Sequence, residues 1–317
     1  MYLTISNGAE KINKGLKILK NVPLAPLTSF GTGGKADYLA TVTTFQQLKE
    51  TLAWANERQL PLTLLGGGTN VLISDRGVEG LVIVTTALTA HYVQNPLFVC
   101  QAGLPLDTAI DLMNDNYLCG LEPLGGLPGS VGGAVYGNAS ANGESIASHI
   151  EWIDYLSREG QLSRYYRRDD DFSYKKSPFS DTEKIIWEVA FHLKPCHDPS
   201  KMRVLKEESR AKRKARGQYD YPSAGCIFKN PSEGPAGYFI EQAGFKGYSL
   251  GGATVSSKHA NFVIIKGETT SQAIYDLTLL VEKGVLERFG IPLEREIRLV
   301  GRWKKRGLKS HYSATPP

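Results

Sequence analysis

The sequence predicts an α+β protein of about two domains. Three observations point there. The chain has 317 residues, enough for more than one buried core. Apolar strand-like runs and amphipathic segments follow one another without the strict alternation of a parallel βαβ fold. Glycine is dense, 33 residues in all, and eight of them fall between Gly120 and Gly143. Glycine gives up chain entropy on folding, so such a run belongs where backbone must come close to something large or charged.

The elements follow in order. Residues 1–21 are polar and lysine-rich and read as a loosely held arm. Asp37 to Val42 reads as a strand. Thr44 to Gln59 reads as a helix, with Thr44 and Gln47 as a capping box and Phe45, Leu48, Leu52 and Ala55 on one face. Leu62 to Leu65 and Leu81 to Thr85 read as buried strands, completing a small α/β module. Leu97 to Ala102 is a strand, and Pro105 opens a helix to about Tyr117. After the glycine-dense stretch, strands are expected at Ile150–Leu156, Leu162–Tyr166 and Ile185–Leu193. Lys201 to Arg216 reads as a basic helix leading into a third unit. That unit has a helix at Ala236–Ala243, a strand at Asn261–Ile265, a long helix at Ser271–Phe289 and a closing strand at Glu296–Val300. Ile274, Leu277, Val281 and Val285 share one face of the long helix.

Composition excludes several classes. Hydrophobic residues make 41% and charged residues 22%, an ordinary globular balance. The net charge of +5 is local: residues 201–217 carry +6, residues 302–317 carry +5, and the remainder is −6. The protein therefore reads as a mildly acidic body with two basic segments, not as a nucleic-acid binder. No apolar run approaches a membrane span, and the first twenty residues lack the apolar stretch of a signal peptide. Cys100, Cys119, Cys196 and Cys226 form neither a disulfide framework nor a zinc pattern, which fits a reduced, cytoplasmic setting.

Five motifs carry chemistry. Gly66-Gly67-Gly68-Thr69-Asn70 follows an apolar strand, and Val71, Leu72 and Ile73 after it look extended. This is not the dinucleotide fingerprint that opens a helix. It fits either a phosphate-binding nest or a tight turn between strands. Gly125 to Ala134 (GGLPGSVGGA) and Asn138 to Gly143 interleave glycine with apolar residues, as an ordered loop against a dinucleotide pyrophosphate would. Tyr221 to Pro231 places Cys226 at the edge of a segment bracketed by prolines, beside Lys229 and Asn230. Gly251 to Asn261 contains His259, which with Cys226 raises a cysteine hydrolase as one alternative, although the nucleophile signatures of such enzymes are missing. Leu293 to Arg298 reads as a strand with Glu294, Glu296 and Arg298 on one face.

Taken together, with Thr28 to Gly34 (TSFGTGG), these segments in this order resemble the UDP-N-acetylenolpyruvoylglucosamine reductase family, also called UDP-N-acetylmuramate dehydrogenases. The resemblance runs from about Asn21 to Arg302. It looks like the shorter form, without an extra tyrosine-bearing loop. It implies an FAD-binding fold of the vanillyl-alcohol-oxidase type, with α+β subdomains at 21–88 and 89–200. An α+β substrate domain at 201–303 follows, between the arm at 1–20 and a basic tail at 304–317. The implied reaction takes NADPH and FAD and reduces a UDP-sugar enolpyruvyl ether, a step of peptidoglycan precursor synthesis.

The resemblance also implies roles. Gly66, Gly67, Gly68, Thr69, Asn70, Gly126, Pro128, Gly129, Ser130, Gly132, Gly133, Ala134 and Asn138 would bind FAD. Cys226 stands where many relatives have a serine proton donor. A thiol titrates near about 8.5, so it is mostly protonated at neutral pH and is a better acid than an alcohol. Glu296 matches the carboxylate near the protonated carbon. Lys175 stands where the family has an arginine, keeping the charge but losing the bidentate fork. Tyr174, Arg216, Lys229 and Asn230 would bind substrate, with Arg216 toward its pyrophosphate. A monomer without metal, nucleic acid or membrane partners is expected. A flavoprotein oxidase on the same fold and a non-catalytic nucleotide-binding module are the remaining alternatives.

Overall fold

The computed structural model describes residues 10–13 and 16–303. Its contacts divide it into two compact units. The first runs to Val22 and resumes over Ala36–Gly67 and Glu79–Lys212. The second comprises Pro23–Lys35, Gly68–Val78 and the chain from Arg213 onward. The boundary between them falls inside a helix, and Pro23–Lys35 and Gly68–Val78 go with the second unit although the expected 21–88 subdomain includes them.

The first unit has two principal cores. One lies against a five-stranded sheet in the order Glu10–Asn13, Leu16–Pro23, Lys35–Thr41, Val78–Val84, Leu62–Leu65. Helix α1 (Phe45–Glu57) covers it, and Leu48, Leu52 and Ala55 pack with Ala40, Val42, Leu81 and Ile83. Thr44 caps α1 by accepting the Gln47 N–H at 3.1 Å. The return bond of the predicted box goes elsewhere: Gln47 Oε1 accepts from the backbone and hydroxyl of Thr43, each at 2.9 Å. The arm reading needs correction too. Leu16 and Ile18, at alternate positions of a strand, are 1% and 0% exposed in this core, so the chain is anchored there by apolar burial. Residues 1–9 and the basic tail from 304 lie outside the described residues.

The second core of this unit packs on an antiparallel five-stranded sheet, ordered Leu162–Tyr166, Ile150–Leu156, Ile185–His192, Leu97–Gln101, His91–Gln94. Helices α2 (Leu106–Asp115) and α3 (Val131–Tyr136) supply Ile110, Met113, Val131 and Val135 against Ile153, Val189 and Phe191. Pro105 is the residue before α2 rather than its first, with φ −58°. Helix α4 (Pro199–Ala215) is the predicted basic helix.

The second unit has one core. Helix α5 (Ala236–Gln242) and helix α6 (Ser271–Phe289) pack on a four-stranded sheet ordered Ser223–Cys226, Phe262–Ile265, Ala253–Val255, Ser249–Leu250. The predicted stripe Ile274, Leu277, Val281 and Val285 is buried in it, and Thr270 caps α6 by accepting the Ala273 N–H at 3.1 Å. The closing strand is shorter than expected. Only Arg298–Val300 is a strand, paired in parallel with Val71–Ile73. Glu294 and Glu296 lie ahead of it, where irregular backbone bridges to the Cys226 segment instead, so they do not share a strand face with Arg298. None of the four cysteines forms a disulfide among the described residues. Among the described residues no helix is long and apolar enough to cross a membrane, and no cluster of metal-ligating side chains occurs.

Candidate active site

The glycine motifs of the first unit meet without side chains between them. A Cβ on Gly66 would lie 2.6 Å from Ser130 Oγ, and one on Gly67 would lie 2.9 Å from Gly129 Cα. Only glycine permits that approach. Gly67 and Gly133 are exposed, while Ser130 is 4% exposed and caps α3 by accepting the Gly133 N–H at 3.3 Å. The surface is therefore bare backbone with a single buried hydroxyl beside it. It fits the pyrophosphate of a dinucleotide, which is bound by close backbone approach more than by side chains. The first amides of α3 do not serve this purpose: Val131 donates to Leu104 O at 2.8 Å and Gly132 to Ala102 O at 2.8 Å. Gly132 is there for packing, since its Cβ would lie 2.7 Å from Ala102 Cβ. Ala134 is buried in α3, and Pro128 is exposed on the glycine run.

Asn138 has a different task from the one its motif suggests. Its Nδ2 donates to Ser173 O at 2.8 Å and its Oδ1 accepts from Ser145 Oγ at 2.7 Å. It thereby holds the turn in which Ser173 and Lys176 exchange backbone hydrogen bonds, each 3.1 Å. Tyr174 and Lys175 form the tip. Lys175 has φ +57°, and its Nζ stands 6.0 Å from the Tyr174 ring centre.

The second unit brings Cys226 and Glu296 onto adjacent backbones. Cys226 ends the strand Ser223–Cys226, opposite Phe262. From there Glu296 donates its N–H to Ile227 O at 2.7 Å, and Lys229 donates to Glu294 O at 2.8 Å. Asn261, 2% exposed, locks this ribbon from the other side: its Oδ1 accepts from Phe228 N at 2.9 Å and its Nδ2 donates to Phe228 O at 2.8 Å. Asn70 joins the same ribbon, donating from Nδ2 to Glu296 O at 3.3 Å and accepting from Arg298 N at 3.0 Å. The Gly66–Asn70 motif is thus divided, with Gly66 and Gly67 in the first unit and Gly68, Thr69 and Asn70 in the second.

Two expected substrate residues are engaged in the fold. Lys229 Nζ lies 2.6 Å from the Glu294 carboxylate, and Asn230 Oδ1 accepts the Ala236 N–H at the start of α5, at 3.0 Å. Arg216 is exposed beyond the end of α4. Burial, then the Arg216 guanidinium, hold the His259 imidazole below its ordinary range. His259 stacks on Phe262 with ring centres 4.4 Å apart, so its ring is packed in the fold.

The basic helix also differs from a solvated cationic face. Lys206 Nζ lies 2.6 Å from Asp111 and 3.2 Å from Asp107, Arg210 lies 3.3 Å from Asp107, and Arg203 pairs with Asp115. The three aspartates form one stripe of α2 at a spacing of four. Half of the apparent charge excess is therefore answered inside the first unit. Sequence reasoning missed Asp107 and Asn261. The four-residue spacing after Pro105 was a usable signal for the first. Nothing local marks the second.

Residues 36–165 match an FAD binding domain, and residues 217–300 match the C-terminal domain of UDP-N-acetylenolpyruvoylglucosamine reductase. The reductase of Lactiplantibacillus plantarum is 35% identical over 286 residues, covering 90% of this chain and 94% of that one. That of a Synechococcus species is 36% identical over 286 residues, covering 90% and 92%. The crystal structure of the reductase from Thermus caldophilus superposes with a TM-score of 0.75 at 30% identity, covering 90% of this chain and 98% of that one.

Proposed function

The chain belongs to the UDP-N-acetylenolpyruvoylglucosamine reductase family, and from that premise we propose that it reduces UDP-N-acetylglucosamine enolpyruvate to UDP-N-acetylmuramate with NADPH, using Cys226 as proton donor. It is an FAD-dependent oxidoreductase of peptidoglycan precursor synthesis, with a vanillyl-alcohol-oxidase-type FAD-binding domain and a separate C-terminal domain. Bound FAD supplies the hydride relay from NADPH to the enolpyruvyl double bond.

The chain's own residues do the rest. Gly66, Gly67, Gly129 and Ser130 offer the backbone surface for the cofactor's pyrophosphate, with Gly126, Pro128 and Gly133 on the same glycine run; Gly68 and Thr69 of the second unit are taken as cofactor residues as well. The Cys226 thiol gives a proton to the carbon next to the one that receives hydride. Glu296 orients that proton transfer. The Lys175 ammonium, raised on its left-handed turn, stabilises negative charge as it develops on the substrate carboxyl group. Tyr174 and Arg216 bind the sugar nucleotide. Lys229 and Asn230 act by shaping the ribbon beside Cys226. We take the 21–88 and 89–200 stretches as the flavin-binding part and 201–303 as the substrate part of a monomeric, cytoplasmic enzyme.

The observation that carries the assignment of roles is the Glu296 N–H to Ile227 O bond of 2.7 Å, which sets the carboxylate-bearing residue beside the thiol-bearing segment. The test is a half-reaction titration of the purified yellow protein. NADPH bleaches the flavin, and colour returns without oxygen only when the enolpyruvyl sugar nucleotide is added. Colour returning with oxygen alone at a catalytic rate marks an oxidase instead. A colourless protein that FAD does not reconstitute overturns the reading.

A further inference from the structure

Gly125 and Gly126 open the glycine run, and charges that take no part in the redox chemistry hold them. The Gly126 N–H donates to Asp107 Oδ1 at 2.7 Å. The other oxygen of Asp107 faces Lys206 Nζ at 3.2 Å and Arg210 Nη1 at 3.3 Å. Lys206 is only 2% exposed, and its ammonium also reaches Asp111 Oδ1 at 2.6 Å. A Cβ on Gly125 would lie 2.6 Å from Lys206 Cγ and 2.7 Å from the Lys206 carbonyl oxygen, so the lysine's stem and backbone are pressed against the loop. At the far end of the same segment, the Leu106 N–H donates to Gly129 O at 3.0 Å. The first turn of α2 therefore grips Gly126 with a side chain and Gly129 with its backbone.

We propose that Asp107 and Lys206 are positioning residues for the flavin cradle: the buried ammonium fixes the Asp107 carboxylate, and that carboxylate fixes the Gly126–Gly129 segment in its cofactor-ready shape. This rests on the reading that the segment receives FAD. The physical case has three parts. A run of glycines has many competing conformations, so an outside tether decides which one is populated. A bond from an amide to an ionised carboxylate is stronger than one to a neutral acceptor. A lysine this buried needs its carboxylates, so the pair is locked in place and not left to sample solvent. Neither residue touches the reacting groups.

Docking of α4 on α2 would use the same ion pairs, and that role alone lowers the melting temperature without changing how tightly the folded protein keeps FAD. The experiment measures FAD release from the diluted full-length holoenzyme by flavin fluorescence, alongside melting in saturating FAD. Asp107→Ala and Lys206→Met are each expected to weaken FAD retention by about tenfold or more. Asp107→Asn keeps an acceptor for Gly126 and is expected to weaken it by about threefold. In the Asp107→Asn background, Lys206→Met is expected to add less than it does alone, because the two act through one contact. FAD retention within error of wild type in Asp107→Asn and Lys206→Met overturns the proposal, even if Asp107→Ala does not fold. Gly129→Val separates the two readings. If it sheds FAD while the Asp107 and Lys206 variants keep it, only the clamp is wrong; if it also keeps FAD, the cradle and the clamp both fall.

Discussion

In the first unit, Gly66 and Gly67 meet Gly129 and Ser130 with no side chain between them; in the second, Cys226 and Glu296 are held by a ribbon of hydrogen bonds that ends on the buried amide of Asn261. The first arrangement works by leaving atoms out, the second by pairing backbone it buries, as at Phe228. They should fail in opposite ways. The cradle is sensitive to added volume and the ribbon to lost hydrogen bonds.

The sharpest test of this contrast removes a proton and adds nothing. Cys226→Ala is expected to slow the second half-reaction by about 10²–10⁴-fold, the usual worth of a positioned acid, while NADPH still bleaches the flavin at the wild-type rate. Cys226→Ser, which restores an O–H, should keep substantial activity. Full turnover in the alanine variant would place the donor elsewhere. Next in size, Gly67→Val pushes a side chain toward Gly129, and we expect FAD retention to fall by about 100-fold with the second unit's core unaffected. Unchanged retention would show that the close approach is not part of the cofactor surface.

Asn261→Ala probes the ribbon itself. It strands the N–H and C=O of Phe228, a residue 2% exposed, and should cost about 2–4 kcal/mol in a denaturation midpoint measurement. A loss below about 0.5 kcal/mol would mean that the ribbon does not depend on that amide. Lys175→Arg should have the smallest effect, with substrate affinity unchanged or improved by the bidentate fork. A collapse of activity would show a turn built for an ammonium.

Much of the fold was legible because its signals are local. The cap at Thr44 and the stripe from Ile274 to Val285 each declare themselves within a few residues. What escaped depends on partners far along the chain. The basic helix shows only its charge in the sequence, because its partners Asp107, Asp111 and Asp115 lie about ninety residues before it. Glu294 and Glu296 looked like strand residues, but their backbone is claimed by Ile227 and Lys229 across nearly seventy residues. The arm escapes for another reason: Leu16, Ile18 and Leu19 stand among Lys14, Lys17 and Lys20, too few apolar positions to outweigh composition until the sheet that Leu16 and Ile18 join is seen. For the candidate site, the residue types were readable while their employment was not. Asn138, Asn70 and Asn230 all sit in motifs that suggest ligand binding, and each spends its amide on the fold.

Lys175 sits at φ +57°, where a residue with a Cβ pays about 1 kcal/mol that glycine would not. Glycine would hold the same turn without that cost, at the loss of the ammonium. Lys175→Gly should therefore melt about 2–4 °C higher than the parent while turning over more slowly. A hardier, lazier enzyme would identify the turn as a place where robustness was surrendered for charge.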